Sequence, residues 1–384
     1  MKNDCAKPKN LNAHIVLNNY SPDIRVEKET LAISDLRIFD KIVIIALNKE
    51  NTASIEELDK FRIVHRINLK TKDLPKRIPF QLIKYFELKR KIINYYKDKN
   101  LKIIHCHDLN TLPIGVKLKK KTGANIIYDA HELETERTGL RGIKKLVLKI
   151  VEKTNINKVD EIITVGNLIA EWYKNKYSLN NVHVIRNIPY DYDTFYRNTV
   201  NIRKKYGIED EKILFVFCGR FYYTRGIDYM INLFGTLGDK FHLILFGKGP
   251  LENLVIHSSE NYNNIHYGGF VEQKMLLYYL KQADIGINVR PEIKYLNQQY
   301  SLPNKIFQYI KAELPILISD FEEINQYISK FDIGWKIKGD PEDFIRTINK
   351  EQIKQKKLNI KKYLKNFSWD TEKEILKKIY LNNL

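Results

Sequence analysis

Short apolar runs alternate with amphipathic segments along almost the whole chain, which predicts strands alternating with helices. This alternation is typical of parallel sheets covered by helices. In the first half of the chain the predicted strands are His14–Asn18, Lys41–Leu47, Arg62–Asn68, Lys102–His105, Asn125–Asp129, Glu161–Val165 and His183–Ile185. The main helices predicted between them are Val26–Phe39, Leu82–Lys99, Thr111–Lys121 and Ile143–Asn155.

The alternation is interrupted over residues 186–197, where Asn187, Pro189, aspartates and tyrosines follow no regular period. It restarts with a short predicted helix, Val200–Tyr206, and then five predicted strands: Ile213–Phe217, His242–Phe246, Ile265–Tyr267, Ile285–Val289 and Ile316–Ser319. Two consecutive doubly wound α/β domains are the simplest account. We place them at residues 1–190 and 191–365. The Lys-rich segment from Glu351 is predicted to be helical, and we expect its end, residues 366–384, to pack back on the first domain.

The chain is strongly basic, with a formal net charge of +19. Such an excess indicates a negatively charged partner, or only the Lys-, Asn- and Ile-rich composition typical of AT-rich genomes. No RNA- or DNA-binding signature accompanies the charge. We therefore predict no nucleic-acid partner and favour a diphosphate ligand or an anionic membrane surface.

The three cysteines, Cys5, Cys106 and Cys218, have no metal-ligand spacing, and the N-terminus is polar. An odd number of thiols without a secretory signal indicates a reducing compartment. No stretch reaches the roughly 18 uninterrupted apolar residues that a membrane span needs. We therefore expect a cytoplasmic protein that is soluble or peripheral on the inner face of the cell membrane.

Ligands of doubly wound sheets sit beyond the carboxyl ends of the strands, close to helix N-termini. The loop after the first predicted strand lacks the G-x-G-x-x-G of a dinucleotide site, which argues against NAD or FAD. Arg25, at the start of the next predicted helix, either meets an anion or is an exposed helix-terminal arginine. His131 and Glu132 directly follow the strand Asn125–Asp129. His131 is a candidate polar contact in the cleft, although a structural histidine would occupy the same position.

The residues His105, Cys106, His107 and Asp108 raise the question of a zinc site. Their spacing is too tight for one tetrahedral site without outside ligands, and alternate side chains on a strand point to opposite faces. We therefore predict no metal. Asp108 suits a hydroxyl contact or a helix cap equally well.

In the second half, Gly219, Arg220 and Arg225 follow the strand Ile213–Phe217 and precede a predicted helix. A glycine lets the backbone approach a ligand, and arginines beside a helix N-terminus favour an anion. These residues predict a diphosphate site, the alternative being two surface arginines in a loop.

A second helix start lies at Ser301-Leu302-Pro303-Asn304-Lys305. Ser301 suits a helix cap and Pro303 suits the first turn. Lys305 is unfavourable near a helix N-terminus unless an anion is present, which indicates a functional role. Gln308 lies about one turn further along.

These residues make the chain similar to glycosyltransferase family 4 of the GT-B superfamily, over nearly the whole length from Asn12 to about Tyr380. The motifs that carry the resemblance are Ser21-Pro22-Asp23-Ile24-Arg25, His105-Cys106-His107-Asp108, Tyr128-Asp129-Ala130-His131-Glu132, Gly219-Arg220 with Arg225-Gly226, Phe246-Gly247-Lys248-Gly249-Pro250, Gly268-Gly269-Phe270-Val271, and Ser301-Leu302-Pro303-Asn304-Lys305 through Leu314-Pro315. Their order and spacing together are specific, although no single motif is decisive.

The resemblance implies two Rossmann-like domains facing across a cleft and a retaining sugar transfer without a metal or cofactor. It assigns the donor diphosphate to Arg220 and Arg225, the donor sugar to His131, and the nucleobase to the Gly268–Val271 segment. It thereby implies the donor-binding residues Gly219, Gly269, Phe270, Ser301, Leu302, Pro303, Lys305 and Gln308. It places Arg25, Asp108 and Glu132 on the acceptor side.

Two positions depart from the family pattern. The family glutamate that holds the ribose hydroxyls is Gln308 here, and an earlier glutamate falls at Tyr300. An amide can still bond a hydroxyl, at a loss on the order of 1 kcal/mol. A related branch has a Ser-x-Pro-x-Lys element instead of the earlier glutamate, and this chain fits that branch.

The hypothesis is a retaining hexosyltransferase that uses a nucleotide-sugar, with UDP expected as the nucleotide, and a glycan or lipid-linked acceptor in cell-surface polysaccharide synthesis. Residues 138–150 combine basic and apolar side chains, which fits a helix on anionic lipid and equally a half-buried helix. The alternatives are a non-catalytic nucleotide-sugar-binding subunit and a GT-B epimerase. The match of residues 191–193 to a metal-binding Asp-x-Asp is treated as chance, because it lies in the predicted linker.

Overall fold

A computed structural model of the chain describes residues 10–20, 23–49, 52–190 and 200–384. It divides into two compact units, one made of the chain up to Arg186 together with Glu372–Leu384, the other of Asn187–Thr371. The predicted divisions after residues 190 and 365 fall a few residues from these. The Asp-x-Asp match at 191–193, Cys5, and Ser21-Pro22 lie outside the described residues.

The first unit is built on an eight-stranded sheet in the order β3-β4-β2-β1-β5-β6-β7-β8. Every neighbouring pair is parallel except β3 with β4. The strands are β1 (Leu11–Ile15), β2 (Lys41–Leu47), β3 (Ile55–Glu57), β4 (Arg62–Ile67), β5 (Leu101–His107), β6 (Asn125–Ala130), β7 (Glu161–Thr164) and β8 (Val182–Val184). The helices are α1 (Ile24–Ser34), α2 (Ile78–Tyr96), α3 (Leu112–Thr122), α4 (Gly142–Asn155) and α5 (Asn167–Tyr177).

The second unit is built on a six-stranded parallel sheet in the order β11-β10-β9-β12-β13-β14. Its strands are β9 (Ile213–Cys218), β10 (Phe241–Phe246), β11 (Ile265–Gly269), β12 (Ile285–Asn288), β13 (Ile316–Ile318) and β14 (Gly334–Lys336). The helices that follow α5 are α6 (Ile202–Tyr206), α7 (Ile227–Leu237), α8 (Glu252–Asn261), α9 (Gln273–Leu280), α10 (Leu296–Gln299), α11 (Asn304–Lys311), α12 (Glu322–Phe331), α13 (Pro341–Arg346), α14 (Lys350–Tyr363) and α15 (Trp369–Leu381).

Both faces of the second sheet are buried. All residues of β9 and β10 are buried, and separate apolar clusters cover the two faces. Strands covered on both sides are continuous apolar runs, which is why the sequence pattern located β9 and β10 closely. These two inner strands therefore hold the loops at their carboxyl ends in fixed positions.

The predicted two-domain α/β fold is confirmed, with local errors. The first strand is Leu11–Ile15 and not His14–Asn18, because its polar residues Asn12 and His14 are buried and bonded to each other at 2.9 Å. The edge strands β3 and β14 were not predicted. Each has only three residues, and β3 is exposed throughout.

The end of the chain forms two helices, α14 and α15, where the sequence predicted one helical segment. Residues from Glu372 onward belong to the first unit. There the hydroxyl of Tyr380 lies 2.8 Å from His105 Nδ1, and the carboxylate of Glu372 accepts hydrogen bonds from the backbone N–H and side chain of Arg186. None of the helices in the described ranges has the length and apolar composition needed to cross a bilayer.

Candidate functional site

A cavity of about 760 Å³ opens at the carboxyl ends of β9, β10 and β11 in the second unit. Its lining includes Gly219, Arg220, Phe246, Phe270 and Gln308. This is the edge of a parallel sheet where ligands are expected, and the volume suits a ligand of drug-like size.

Glycines allow the loops of this cavity to pack backbone against backbone. Gly219 has φ +143° and Gly247 has φ +151°, conformations that L side chains rarely adopt. A Cβ atom on Gly247 would lie 1.8 Å from the carbonyl oxygen of Gly219. The loop that carries Arg220 and Arg225 is thus held against the β10–α8 connection.

The ammonium of Lys305 lies beneath the Gly219 loop. Lys305 is buried, its Nζ is 3.5 Å from the centroid of the Phe217 ring, and a Cβ on Gly219 would meet that Nζ at 3.4 Å. The Nζ has no hydrogen-bond partner in the described part of the chain. Burial, followed by repulsion from Arg225 and Arg290, lowers the pKa of Lys305 well below its usual value. A buried cation without a partner is expensive, which favours an anionic ligand at this point.

Ser301 does not cap α11, contrary to prediction. The helix begins at Asn304 after Pro303, with no side-chain cap, and the Ser301 hydroxyl instead donates to the Gln298 carbonyl at 2.8 Å. The first N–H groups of α11 are therefore not satisfied by a side chain. That leaves the positive end of the helix available to an anion beside Lys305.

The ribose end of the predicted site is altered as the sequence indicated. Gln308 lines the cavity, and its Oε1 lies 3.4 Å from the Cys218 thiol that donates to it. Tyr309, the next residue, donates to the carbonyl of Ile287 and accepts from the N–H of Cys218, both at 3.2 Å. The helix is thereby tied to β9 and β12, and the Gln308 amide N–H₂ stays available to a hydroxyl.

The predicted nucleobase end is apolar and open. Phe270, directly after β11, is 62% exposed, and Lys248 Nζ lies 4.2 Å from the centroid of its ring. Gly269 has φ +77° and open space around it. An exposed aromatic ring on a cavity wall is a suitable stacking surface for a base.

In the first unit, His131 lies between two carboxylates. Its Nε2 donates to Asp129 at 2.8 Å, and its Nδ1 is 3.3 Å from an Asp108 oxygen. Burial disfavours the charged imidazole, but attraction from Asp129 and then Asp108 prevails and raises the pKa of His131 to about 9. Asp108 has φ +65° and directs its carboxylate to His131; it does not cap α3, whose N-terminal cap position is Thr111. The helix-cap alternative is therefore wrong.

Arg25 is buried and not an exposed helix-terminal residue. Its guanidinium donates to both oxygens of Asp129, at 2.7 and 2.8 Å, and to the carbonyl of Ile185 at 3.1 Å. Glu29 lies 3.1 Å away on the next turn of α1. Arg25 thus meets an anion, as one of the two sequence alternatives had it, and this anion is the carboxylate of Asp129, 104 positions away in sequence.

Four buried residues with metal-ligand chemistry meet behind this pair, namely His14, Glu29, His105 and His107. The alternation of side chains along β5 is observed: His105 and His107, two positions apart, share one face and their rings stack at 4.4 Å, with Cys106 between them on the other face. His14 and Glu29 supply possible metal ligands from outside β5. Arg25 also lies 3.1 Å from Glu29 at this cluster, and the expected absence of a metal stays a prediction.

Two family models match the sequence, "Glycosyltransferase Family 4" over residues 40–188 and "Glycosyl transferases group 1" over residues 198–367. The chain belongs to the GT-B glycosyltransferases of family 4. An uncharacterised glycosyltransferase of Methanocaldococcus jannaschii is 26% identical over 196 residues, which are 48% of this chain and 50% of that protein. The chain thus spans about half the length of this relative.

Solved structures with the same fold cover both units of the glycosyltransferase. Sucrose-phosphate synthase from Thermosynechococcus elongatus has a TM-score of 0.73 at 13% identity, covering 97% of this chain and 98% of that one. Anabaena HepE in complex with UDP-glucose has a TM-score of 0.70 at 10% identity, covering 97% and 100%. A glycosyltransferase from Rickettsia africae has a TM-score of 0.67 at 14% identity, covering 98% of each chain. At these identities the likeness shows the GT-B fold.

The glycosyltransferase fold brings most predicted donor residues to one sheet edge, but it adds a residue that sequence reasoning missed. Arg290, two residues after the end of β12, is buried close enough to Arg225 and Lys305 for their charges to affect one another. Its only sequence signal is an arginine after an apolar strand. Glu132, by contrast, pairs with Arg137, and its predicted place on the acceptor side stays a prediction.

The charge on His131 makes the stability of the glycosyltransferase depend on alkaline pH. Because the folded pKa of about 9 lies above the usual 6.5, the charged form contributes about 3 kcal/mol that is complete below pH 6.5 and lost as the pH rises through 9. We expect the thermal unfolding midpoint to decrease as the pH is raised from 7 to 9.5. In the variant His131→Asn this decrease of the midpoint with pH should be smaller.

A second group, Glu134, contributes to the decrease of stability with rising pH. Burial, then repulsion from Asp108, raises the pKa of Glu134 to about 8, so stability also falls as the pH rises from the usual carboxyl pKa of 4.5 through 8. His131→Asn keeps that contribution, so the difference in stability between the two proteins should be largest below pH 6.5 and should disappear as the pH rises through 9. Unfolding midpoints that fall in parallel up to pH 9.5 would contradict the assignment of a charged His131.

Proposed function

We propose that this glycosyltransferase is a retaining, metal-independent hexosyltransferase that uses a UDP-sugar and builds cell-surface polysaccharide on a glycan or lipid-linked acceptor. The observation that carries the proposal is the buried ammonium of Lys305 beneath Gly219, beside the arginine loop that precedes α7; this ammonium has no hydrogen-bond partner within the described ranges. Such a group is suited to a diphosphate. HepE, which shares the fold, has been crystallised with UDP and with UDP-glucose, and this supports uracil as the base.

In the proposed mechanism Arg220, Arg225 and Lys305 hold the donor diphosphate. As the bond between sugar and phosphate breaks, negative charge builds up on the leaving UDP. Cations already in place stabilise that charge without reorganisation, which is the largest electrostatic contribution an enzyme can make to such a step. The chain's own cations thereby fill the role that a divalent metal has in other transferases.

The state of His131 limits its role. With a pKa near 9 it is protonated at neutral pH, so it can donate a hydrogen bond to the donor sugar but cannot accept a proton from the acceptor. In a retaining transfer on the face of the leaving group, the acceptor proton can pass to the departing phosphate oxygen. His131 would then steady the sugar, as the family resemblance implies.

Incubation with a panel of nucleotide-sugars without acceptor tests this proposal. The enzyme is expected to release UDP slowly from one UDP-sugar, with water replacing the acceptor. Conversion of the sugar to an epimer with no net release would identify an epimerase. Saturable binding with neither release nor conversion would identify a non-catalytic subunit, the alternative that the altered pair Gln308 and Tyr300 favours.

The surface of the first unit supports a membrane-bound acceptor. Helix α4 buries only Glu152, whereas Ile143 is 81% exposed and Leu146, Val147 and Ile150 are also exposed among lysines. These exposed apolar residues favour the lipid-facing interpretation of this helix over the half-buried one. Ile78, Leu82 and Phe86, spaced four apart on α2, form a second exposed apolar stripe. Exposed apolar side chains among lysines fit the surface of an anionic bilayer.

Co-sedimentation with phosphatidylglycerol vesicles at physiological salt tests the membrane surface. We expect binding by the wild type and at least a tenfold loss in the double variant Ile143→Ser/Leu146→Ser, because each buried leucine-sized side chain contributes about 2 kcal/mol. Leu358→Ser is the matched control, since Leu358 is an equally exposed apolar residue on α14. Equal sedimentation of all three proteins would contradict the proposal.

A further inference from the structure

We propose that Arg290 binds an oxyanion of the donor, either the phosphate next to the sugar or a carboxylate carried by the sugar itself. The inference rests on the proposed donor site. It adds Arg290 to that site and asks whether the donor sugar carries a carboxylate. Nothing in the family resemblance assigns a role to this position.

Arg290 is held rigidly. Its backbone N–H donates to the Ser319 hydroxyl at 2.7 Å, and that hydroxyl donates to the Arg290 carbonyl at 2.7 Å. Its guanidinium carbon lies 5.0 Å from the centroid of the Phe321 ring, and only 8% of the residue is exposed. An arginine ordered in this way loses little conformational entropy when it binds a ligand.

Arg290 is also unlike the other buried arginines. Within the described ranges these are Arg25, Arg62 and Arg66, and each forms an ion pair, with Asp129, Asp59 and Glu56 respectively. Among the residues that the structure describes, Arg290 has no such pair, and its Nε is buried without an acceptor. Glu292, the acidic residue nearest in sequence, is exposed and paired with Lys294. Buried charges in proteins are normally paired, so an unpaired one indicates a ligand.

The position of Arg290 identifies where that ligand lies. A Cβ atom on Gly226 would be 3.1 Å from Arg290 Cγ, so the arginine stem runs against the start of α7. The N-terminus of α7 has no side-chain cap. Arg225, the residue before Gly226, lowers the pKa of both Arg290 and Lys305, after the larger effect of burial. Three cations and the positive end of a helix thus share one region, which a bound oxyanion would neutralise.

Two oxyanions of a nucleotide-sugar could fill this region. The phosphate next to the sugar is one. The other is a carboxylate on the sugar, because a diphosphate brings about two negative charges at neutral pH, whereas Arg220, Arg225, Lys305 and Arg290 offer four positive ones. A uronic-acid donor would supply an additional negative charge.

Calorimetric titration separates the two sources. The ligands are UMP, UDP, UDP-glucose and UDP-glucuronate, and the proteins are the wild type, Arg290→Gln, Arg290→Lys and the control Arg346→Gln, an exposed residue on α13 paired with Glu342. If Arg290 binds the phosphate, Arg290→Gln weakens the binding of UDP and UDP-glucose at least tenfold and leaves the binding of UMP unchanged. If Arg290 binds a carboxylate, the variant weakens only the binding of UDP-glucuronate, and the wild type binds UDP-glucuronate more tightly than UDP-glucose. Arg290→Lys should recover part of the loss in either case.

Two results would overturn the inference. One is that Arg290→Gln weakens no ligand by more than twofold. The other is that it weakens UMP as much as UDP, which would mean a general disturbance of the site. A wild type that binds none of the four ligands would instead contradict the proposed UDP-sugar function. Unfolding midpoints without ligand show whether Arg290→Gln is folded, and Arg290→Lys provides the test if it is not.

Discussion

Lys305→Met is expected to stabilise the nucleotide-free protein and at the same time to abolish its stabilisation by UDP. Without a ligand, the Lys305 Nζ is a buried polar atom against the Phe217 ring, with no hydrogen-bond partner in the part of the chain that the structure describes. An unsatisfied group of this kind costs about 1–3 kcal/mol, which a methionine of similar volume would recover. For a unit of this size that gain corresponds to an unfolding midpoint higher by several degrees.

With UDP bound, the wild type is expected to be more stable than Lys305→Met. The wild type should gain about 3 kcal/mol at a UDP concentration near one hundred times Kd, whereas the variant has lost a cation that the diphosphate meets. Thermal unfolding with and without UDP measures both effects, and Lys354→Met, an exposed lysine on α14, is the control that should change neither. A variant that is less stable than the wild type, yet stabilised equally by UDP, would show that Lys305 is structural.

Arg220→Ala is expected to reduce kcat for UDP release and for transfer by about 10²–10³. Arg220 lines the cavity just after Gly219 and is exposed to it, without an ion-pair partner among the residues that the structure describes. Removing one preorganised donor to a developing negative charge costs about 3–4 kcal/mol of transition-state stabilisation.

The matched comparison is Arg225→Lys, which keeps the positive charge at this position. It should retain activity within about tenfold, because the point charge remains and only the forked donor geometry is lost. Steady-state kinetics of nucleotide release measure both variants. Unchanged kcat and KM in Arg220→Ala would remove Arg220 from the site.

The parts of the fold that could be predicted are those with a strong local pattern. β9 and β10 are buried on both faces, so their apolar runs stand out from the neighbouring helices. β3 could not be found, because an exposed three-residue edge strand carries no apolar signal. The first strand was misplaced because a polarity pattern cannot show that Asn12 and His14 satisfy each other inside the sheet.

The same distinction applies to the candidate site. Lys305 could be singled out because a lysine conflicts with a helix N-terminus, which is a local rule. The pairing of Arg25 with Asp129 spans 104 positions, and no local rule connects them. Arg290 is informative only because the fold buries it without a partner, and burial of a single charged residue has no sequence signal.

We infer that the second unit holds a nucleotide diphosphate at the carboxyl ends of β9 and β12. A crystal structure of the full chain with UDP tests this placement. We expect the diphosphate within hydrogen-bond distance of Lys305 and at least one of Arg220 and Arg225, with the uracil against Phe270. UDP bound at any other place, with Lys305 still unpartnered, would contradict it.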